Sequence, residues 1–339
     1  MATLRVDTLS GIGTEGPVLD GGLHFRSQNY LTLPKGDTTQ RGRGRGIIAG
    51  GSPGSDNNEQ IEFINIQSDG VVTEFGELIQ SRRGCGGCSS STRGLIGSGT
   101  AGNPSPSFTN SVEQIQLATT AKATTFGDLN NSMRNPAGVS NSTRGIFAGG
   151  GDNPTFIDNI DFFTIASAGN ATDFGNLLSA LKAASGVSSP TRALFGGGQT
   201  PSYVDTIQYV TIATAGDATD FGDLTSGNRI YHACASSSTR GLIGGGFTSP
   251  ADVNVIDFVT IASDGNSLDF GDLLAVRSHP GATSNGTRAI WAGGVSPYRN
   301  SIEFVTIAST GNAQDFGDIA DQTSYAYTSG TSDSHGGLS

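Results

Sequence analysis

Histidines, cysteines and recurring carboxylates are the residues of this chain whose types allow chemistry. His232 and His279 stand in two corresponding small-residue stretches, NRIYHACASSS from Asn228 and VRSHPGATSNG from Val276, and Tyr231 and Cys234 lie beside the first. Two imidazoles, a phenol and a thiol are the material of a copper oxidase centre. Their spacing carries no ligand motif, so the histidines are read as hydrogen-bonded filler of packed strands. Cys85-x-x-Cys88 has the spacing of half a zinc site or of a redox pair. No second cysteine pair follows, and the same stretch elsewhere holds Ala, Ser and Gly, so small packed thiols are expected. Acids flank a recurring Phe-Gly: Asp128, Asp223, Asp272 and Asp318 after it, Asp173, Asp220, Asp269 and Asp315 before it. Single carboxylates give poor charge density for calcium. They are expected to accept turn N–H groups or to pair with the recurrent Arg93, Arg144, Arg192, Arg240 and Arg288. No phosphate loop with its lysine and following helix occurs. The expectation is a protein without catalytic residues, metal or cofactor.

The elements that carry these residues repeat. Variants of DATDFGDL place Phe75, Phe126, Phe174, Phe221, Phe270 and Phe316 at intervals of 46 to 51 residues. A second piece, such as TRGLIGGG from Thr239, runs large apolar residues into a Gly pair, as suits a closely packed strand end. A third, such as VIDFVTIA from Val255, alternates with period two and reads as a half-buried strand. The Phe-Gly piece is the fourth strand, and the small-residue stretches fit a strand crowded around an axis. Four strands in about 48 residues is the size of one propeller blade.

The first Gly-Gly strand has no small-residue strand before it, whereas TSYAYTSGTSDSHGG near the end has no unit after it. The C-terminal strand is therefore expected to complete the first blade and close the ring. The fold class predicted is all-β, a six-bladed propeller of four-stranded blades over residues 41–339, preceded by a segment, 1–40, outside the repeat. The Gly-Gly strand end, an aromatic about a dozen residues on (Phe162, Tyr209, Phe258, Phe304) and a second one further (Phe174, Phe221, Phe270, Phe316) resemble the kelch repeat. The kelch pattern favours Trp at the second aromatic, where this chain has Phe.

With 51 Gly and 14% charged residues the chain is unlike most enzymes. Its formal net charge of −11 argues against a nucleic-acid or anionic-membrane surface. The cluster Arg41, Arg43 and Arg45 is read as a domain entry with exposed arginines rather than an RNA-binding tract. An odd count of scattered cysteines gives no disulfide framework. No apolar run approaches the roughly 20 residues of a membrane helix, and the N-terminus has no hydrophobic leader pattern, so no secretory signal is expected.

Binding is expected in the loops between the second and third strands, the variable parts of the repeat. Five carry one aromatic, Phe108, Phe156, Tyr203, Phe247 or Tyr298. These are the candidate ligand- or partner-binding residues, stacking on sugar rings or anchoring a protein; the competing reading is that each ring caps the neighbouring blade.

The opening RVDTLSG and LHFRSQNYLTLPKGDTTQR resembles the start of structural proteins of tailed bacteriophages, marine cyanophages in particular, and the TIASAGNATDFGDL-type repeats are similar to propeller arrays of the same particles. The resemblance implies a virion protein, a tail-fibre or appendage component. Residues 1–40 would dock it to other tail or baseplate proteins, as a homo-oligomer, and the propeller would face a host-surface glycan or receptor. Two alternatives stand beside it: a purely structural virion component that binds only its neighbours, and a propeller enzyme, glycan-processing or a copper oxidase.

Overall fold

A computed structural model describes residues 44–338 apart from 55, 69–71, 153, 296 and 320–324. The proposed docking segment 1–40 lies outside the described residues. The fold is all-β, a propeller-like arrangement of four-stranded antiparallel sheets. In the sheet that begins just after Tyr231, the innermost strand is Ala233–Ser236, followed outward by Arg240–Gly244, Val255–Thr260 and Leu268–Asp272. The order small-residue strand, Gly-Gly strand, alternating strand and Phe-Gly strand is thus the order expected from the sequence.

The sheet count differs from the expected six separate blades. Among the described residues, four four-stranded sheets stand alone, three two-stranded hairpins lie beside them, and the other strands form one nine-stranded sheet. The cause is local. The outer strand Thr73–Arg83 runs on past its turn, and Arg82 and Arg83 pair with the short strand Thr100–Ala101, which also pairs with Ser107–Gln116. Two runs of four strands are zipped together at that point. Within the first run, the C-terminal strand Ser329–Ser332 pairs antiparallel with Arg45–Ala49, Gly46 opposite Ser332 and Ala49 opposite Ser329. Asp333 fixes this seam by accepting the N–H groups of Gly44 at 2.8 Å and Arg45 at 3.1 Å.

Two closed belts of hydrogen bonds circle the axis. At one end the N–H of Asn135 donates to the Gly84 carbonyl at 2.7 Å, Ala183 to Asn135 at 3.2 Å, Tyr231 to Ala183 at 3.3 Å and His279 to Tyr231 at 2.7 Å. Tyr327 donates to His279 and Gly84 to Tyr327, both at 2.9 Å, and the circle is complete. All six residues have φ between 54° and 63°, the left-handed region, uncommon outside Gly. At the other end, five residues further along each inner strand, serine hydroxyls donate to the previous serine's carbonyl: Ser140 to Ser89, Ser188 to Ser140, Ser236 to Ser188, Ser284 to Ser236 and Ser332 to Ser284, with Ser89 donating to Ser332. The serine end is stopped by the C-terminal 3-10 turn Gly336–Leu338. His335 Nε2 lies 3.0 Å from the Ser89 carbonyl and 3.1 Å from Ser140 Oγ, and a Cβ on Gly336 or Gly337 would collide with the serine strands.

The Phe-Gly turn has two jobs. The phenylalanines are buried, and four of them meet the aromatic of the neighbouring strand edge-on, as Phe174 meets Phe162 at 5.9 Å and Phe270 meets Phe258 at 6.0 Å. The glycine lets the next unit's backbone approach: a Cβ on Gly222, at φ 145°, would lie 2.5 Å from the Gly265 carbonyl carbon. Opposite it the partner strand carries a bulge between Ile207 and Gln208.

The recurrent arginines do not pair with the Phe-Gly acids as expected. Each reaches the carbonyl just past an alternating strand elsewhere in the chain: Arg45 to Leu117, Arg93 to Ile165, Arg144 to Ile212, Arg192 to Ile261, Arg240 to Ile307 and Arg288 to Ile66. Their guanidinium groups lie over rings such as Phe162, at 4.7 Å, and Tyr209, at 4.3 Å. The acid-bearing turns are instead held through their backbone, since Asp223 N–H donates to Asn266 Oδ1 and Asp272 N–H to Asn312 Oδ1. No helix among the described residues is long and apolar enough to cross a membrane.

Candidate functional site

The belt of left-handed residues rims a cavity of about 120 Å³ at the end of the axis opposite the C-terminal turn. Because the backbone makes every belt bond, the six side chains are not required for closure and differ in kind. Three are aromatic and adjacent. His279 stacks on Tyr231 with ring centroids 3.7 Å apart and planes at 27°, and Tyr327 lies tilted against it at 3.9 Å and 47°. The other three, Gly84, Asn135 and Ala183, are small.

His279 is a neutral base in this setting. Burial, with the Arg134 charge added, pushes its pKa down to about 3. Nδ1 is 3.2 Å from Ser278 Oγ, whereas Nε2 is buried without a hydrogen-bond partner. A ring nitrogen left so costs roughly 1–3 kcal/mol. Tyr327 is held above the usual phenol range chiefly by burial, with Tyr298 and Asp252 adding to it and Arg83 and Arg134 opposing.

Of the residues suggested for a copper centre, Tyr231 and His279 come together, but as parallel plates. Stacking aligns their ring planes instead of aiming oxygen and nitrogen at one point. His232 turns elsewhere: Nε2 donates to the Gly196 carbonyl at 3.0 Å, and burial together with Arg229 pushes its pKa down to about 3. It is the hydrogen-bonded filler expected. Cys85 and Cys88 are buried thiols, the first pushed up to about 11 by burial and the second raised further, which suits packing and not nucleophilic work. No group of three or more His, Cys, Asp or Glu that could hold a metal ion occurs among the described residues.

Phe156, Tyr203 and Phe247 sit on two-residue strands, Tyr298 in a turn and Phe108 near the start of the strand Ser107–Gln116. Ile230, just before Tyr231, forms a bridge with Phe247, and Lys182, just before Ala183, with Gln199. Tyr203 and Phe247 meet edge-on at 6.0 Å. Arg134 lies over Phe108 at 5.8 Å and Lys182 over Phe156 at 5.5 Å. Tyr298 reaches the Gly54 carbonyl at 3.5 Å. Each ring therefore has a partner within the fold, though Phe108 and Tyr298 remain 42% and 41% exposed.

Sequence reasoning singled out Tyr231 and His279 but missed Tyr327 and the belt itself. A usable signal was present: each belt residue stands five positions before a serine of the hydroxyl ring, as Gly84 before Ser89 and Tyr327 before Ser332. Three buried ion pairs were also missed, Arg82 with Glu113, Arg229 with Asp257 and Arg277 with Glu303. No protein-family model matches the chain, and no curated protein matches it.

Proposed function

We propose that this chain is a bacteriophage virion protein, a tail-fibre or related appendage component, that docks to the particle through residues 1–40 and presents a six-bladed, kelch-like propeller for recognition of a host-surface carbohydrate. The nine-stranded sheet is taken as two blades stitched at Arg82 and Arg83, and the two belts of six residues support that count. The virion assignment rests on the likeness of the opening segment and of the repeats to phage structural proteins.

The observation that carries recognition is the contiguous Tyr231–His279–Tyr327 ring cluster on one arc of an otherwise regular belt. A repeat array has no structural need for three aromatic rings at positions that are Gly, Asn and Ala elsewhere. Aromatic plates at a solvent-facing mouth suit the apolar faces of sugar rings. Binding is favoured over catalysis because His279 is held neutral, buried thiols are held protonated, and stacked rings do not converge on a reacting atom. The loop aromatics, each with a partner in the fold, favour a capping role, which moves the site from the loops to the belt.

The test is adsorption of the purified full-length chain to intact host cells. Tyr231→Ala with Tyr327→Ala should lower adsorption at least tenfold while far-UV circular dichroism stays unchanged. Undiminished adsorption by the folded double variant would refute recognition at the belt and favour the purely structural virion role.

A further inference from the structure

Below the belt the axis is not filled. A second cavity, of about 50 Å³, lies beyond the one at the mouth, lined by ring serines and by His335. Six residues line both cavities: Gly87, Gly138, Gly186, Cys234, Ala282 and Gly330. Each stands three places after a belt residue and two before a ring serine, so together they make a complete tier around the axis. The inner strands close up here because side chains are small or missing: a Cβ on Gly138 would collide with the Gly87 backbone, and one on Gly330 with that of Ala282. The two cavities are thus two stretches of one axial passage that share this tier.

At the serine end the passage meets the turn that follows the closing strand. The N–H of Gly337 donates to His335 Nδ1 at 3.1 Å, so the imidazole hydrogen sits on Nε2 and is directed at the Ser89 carbonyl, 3.0 Å away. The N–H of Leu338 donates to the His335 carbonyl at 2.9 Å. The turn is therefore folded around its own imidazole. Gly336 lies against Ser188 and Ser236, and Gly337 against Ser140 and Ser188, closely enough that only glycine fits either place. Two features separate the turn from the closure of the ring. Asp333 anchors the chain at the seam before the turn begins. The ring serines bond one another from hydroxyl to carbonyl all the way round, so they do not need the turn to satisfy them.

We propose that residues 335–338 are a displaceable stopper of the axial passage. Seated, they make the passage a blind pocket beneath the mouth. Lifted, with Asp333 as the fixed point, they join the mouth to the opposite end of the ring, while the seam and the circle of serine hydroxyls stay closed. The imidazole of His335 is the catch, since it both organises the turn and holds it to the ring.

The experiment uses a thiol beneath the stopper. Ser236 is buried under Gly336, so Ser236→Cys in the full-length chain, with Cys234→Ala to remove the neighbouring thiol, reports whether the turn is seated. Modification by N-ethylmaleimide is followed by peptide mass spectrometry, with the buried Cys85 and Cys88 as internal markers of an intact fold. Adding Gly337→Val, whose side chain cannot fit against Ser140, should speed modification of the reporter at least tenfold and leave Cys85 and Cys88 unmodified. Adding His335→Ala instead should speed it at least threefold, and this variant carries the test if Gly337→Val does not fold. In the chain with the reporter alone, modification should be slow but still precede that of Cys85 and Cys88, because the turn lifts without unfolding. Equal reporter rates with and without a seated turn would overturn the stopper. A reporter that reacts only in step with Cys85 and Cys88 would show that the turn leaves only when the ring unfolds, and would overturn its being displaceable.

Discussion

At the scale of single residues, burial decides what each group can do. Phe221 is buried and meets Tyr209 edge-on at 6.1 Å, so Phe221→Ala should cost about 3–5 kcal/mol in urea unfolding, the range for a buried aromatic. A loss below about 1 kcal/mol would mean that the ring is not a core residue. His232 gives a pH-dependent case. Its folded pKa is pushed down to about 3 from an ordinary 6.5. Between these values the unfolded chain holds a proton that the folded chain refuses, so stability is lost as pH falls from about 6.5 towards 3. The slope is at most about 1.4 kcal/mol per pH unit for one such group. Wild type should therefore lose stability on acidification more steeply than His232→Gln, measured as urea midpoints from pH 7 to 4; parallel curves would show that His232 titrates normally in the fold. The Phe-Gly residues were legible in the sequence because one side chain and one missing side chain recur together. The belt was not, because Gly84, Asn135, Ala183, Tyr231, His279 and Tyr327 share a backbone conformation and no residue type.

At the scale of elements, neighbouring sheets are held by two kinds of clip, and only one could be seen in the sequence as recurrent. The arginines that open the second strands repeat visibly, but their partners are carbonyls, which leave no trace in residue type. The buried pairs recur irregularly. Two positions before the belt residue stand Arg82, Met133, Leu181, Arg229, Arg277 and Tyr325, and the buried carboxylate or amide residues of the alternating strands are Glu62, Glu113, Asp161, Gln208, Asp257 and Glu303. Where Leu181 stands in place of the arginine, the carboxylate has become the amide of Gln208, which accepts the Leu178 N–H at 2.8 Å. Where Met133 stands, Asp161 is held by the Asn130 N–H at 2.9 Å and by its side-chain amide. The chain thus contains its own replacement for an ion pair. Arg229→Met alone strands the Asp257 carboxylate and should cost about 3–5 kcal/mol. Adding Asp257→Gln should recover most of that loss in the same thermal or urea assay, following the Leu181 and Gln208 arrangement. A double variant no more stable than the single one would show that the pair has a role beyond mutual compensation.

At the scale of the whole molecule, closure depends on the seam where Ser329–Ser332 meets Arg45–Ala49. This was predicted from an inner strand missing at one end and left over at the other. The stitching of two sheets at Arg82 and Arg83 was not, since nothing in the sequence shows that the outer strand outruns its turn. Asp333 satisfies two backbone N–H groups at the seam, so Asp333→Ala should lower stability by about 1–3 kcal/mol. Its signature should be faster amide exchange along Arg45–Ala49 and Ser329–Ser332 than in the intact sheets. Exchange accelerated evenly throughout the ring would mean that the seam is no weaker than any other junction.

The belt also has an evolutionary consequence. Its six bonds are made by main-chain atoms, and its six positions already accept glycine, an amide, a methyl group, two phenols and an imidazole at nearly the same φ. A mutation there changes what the mouth can grip without reopening the question of whether the protein folds. A lineage pursuing a changing target could rewrite these positions one at a time, each intermediate remaining a closed ring. Diversity in descendants of this chain should therefore concentrate five residues ahead of the ring serines, while the serines themselves stay fixed.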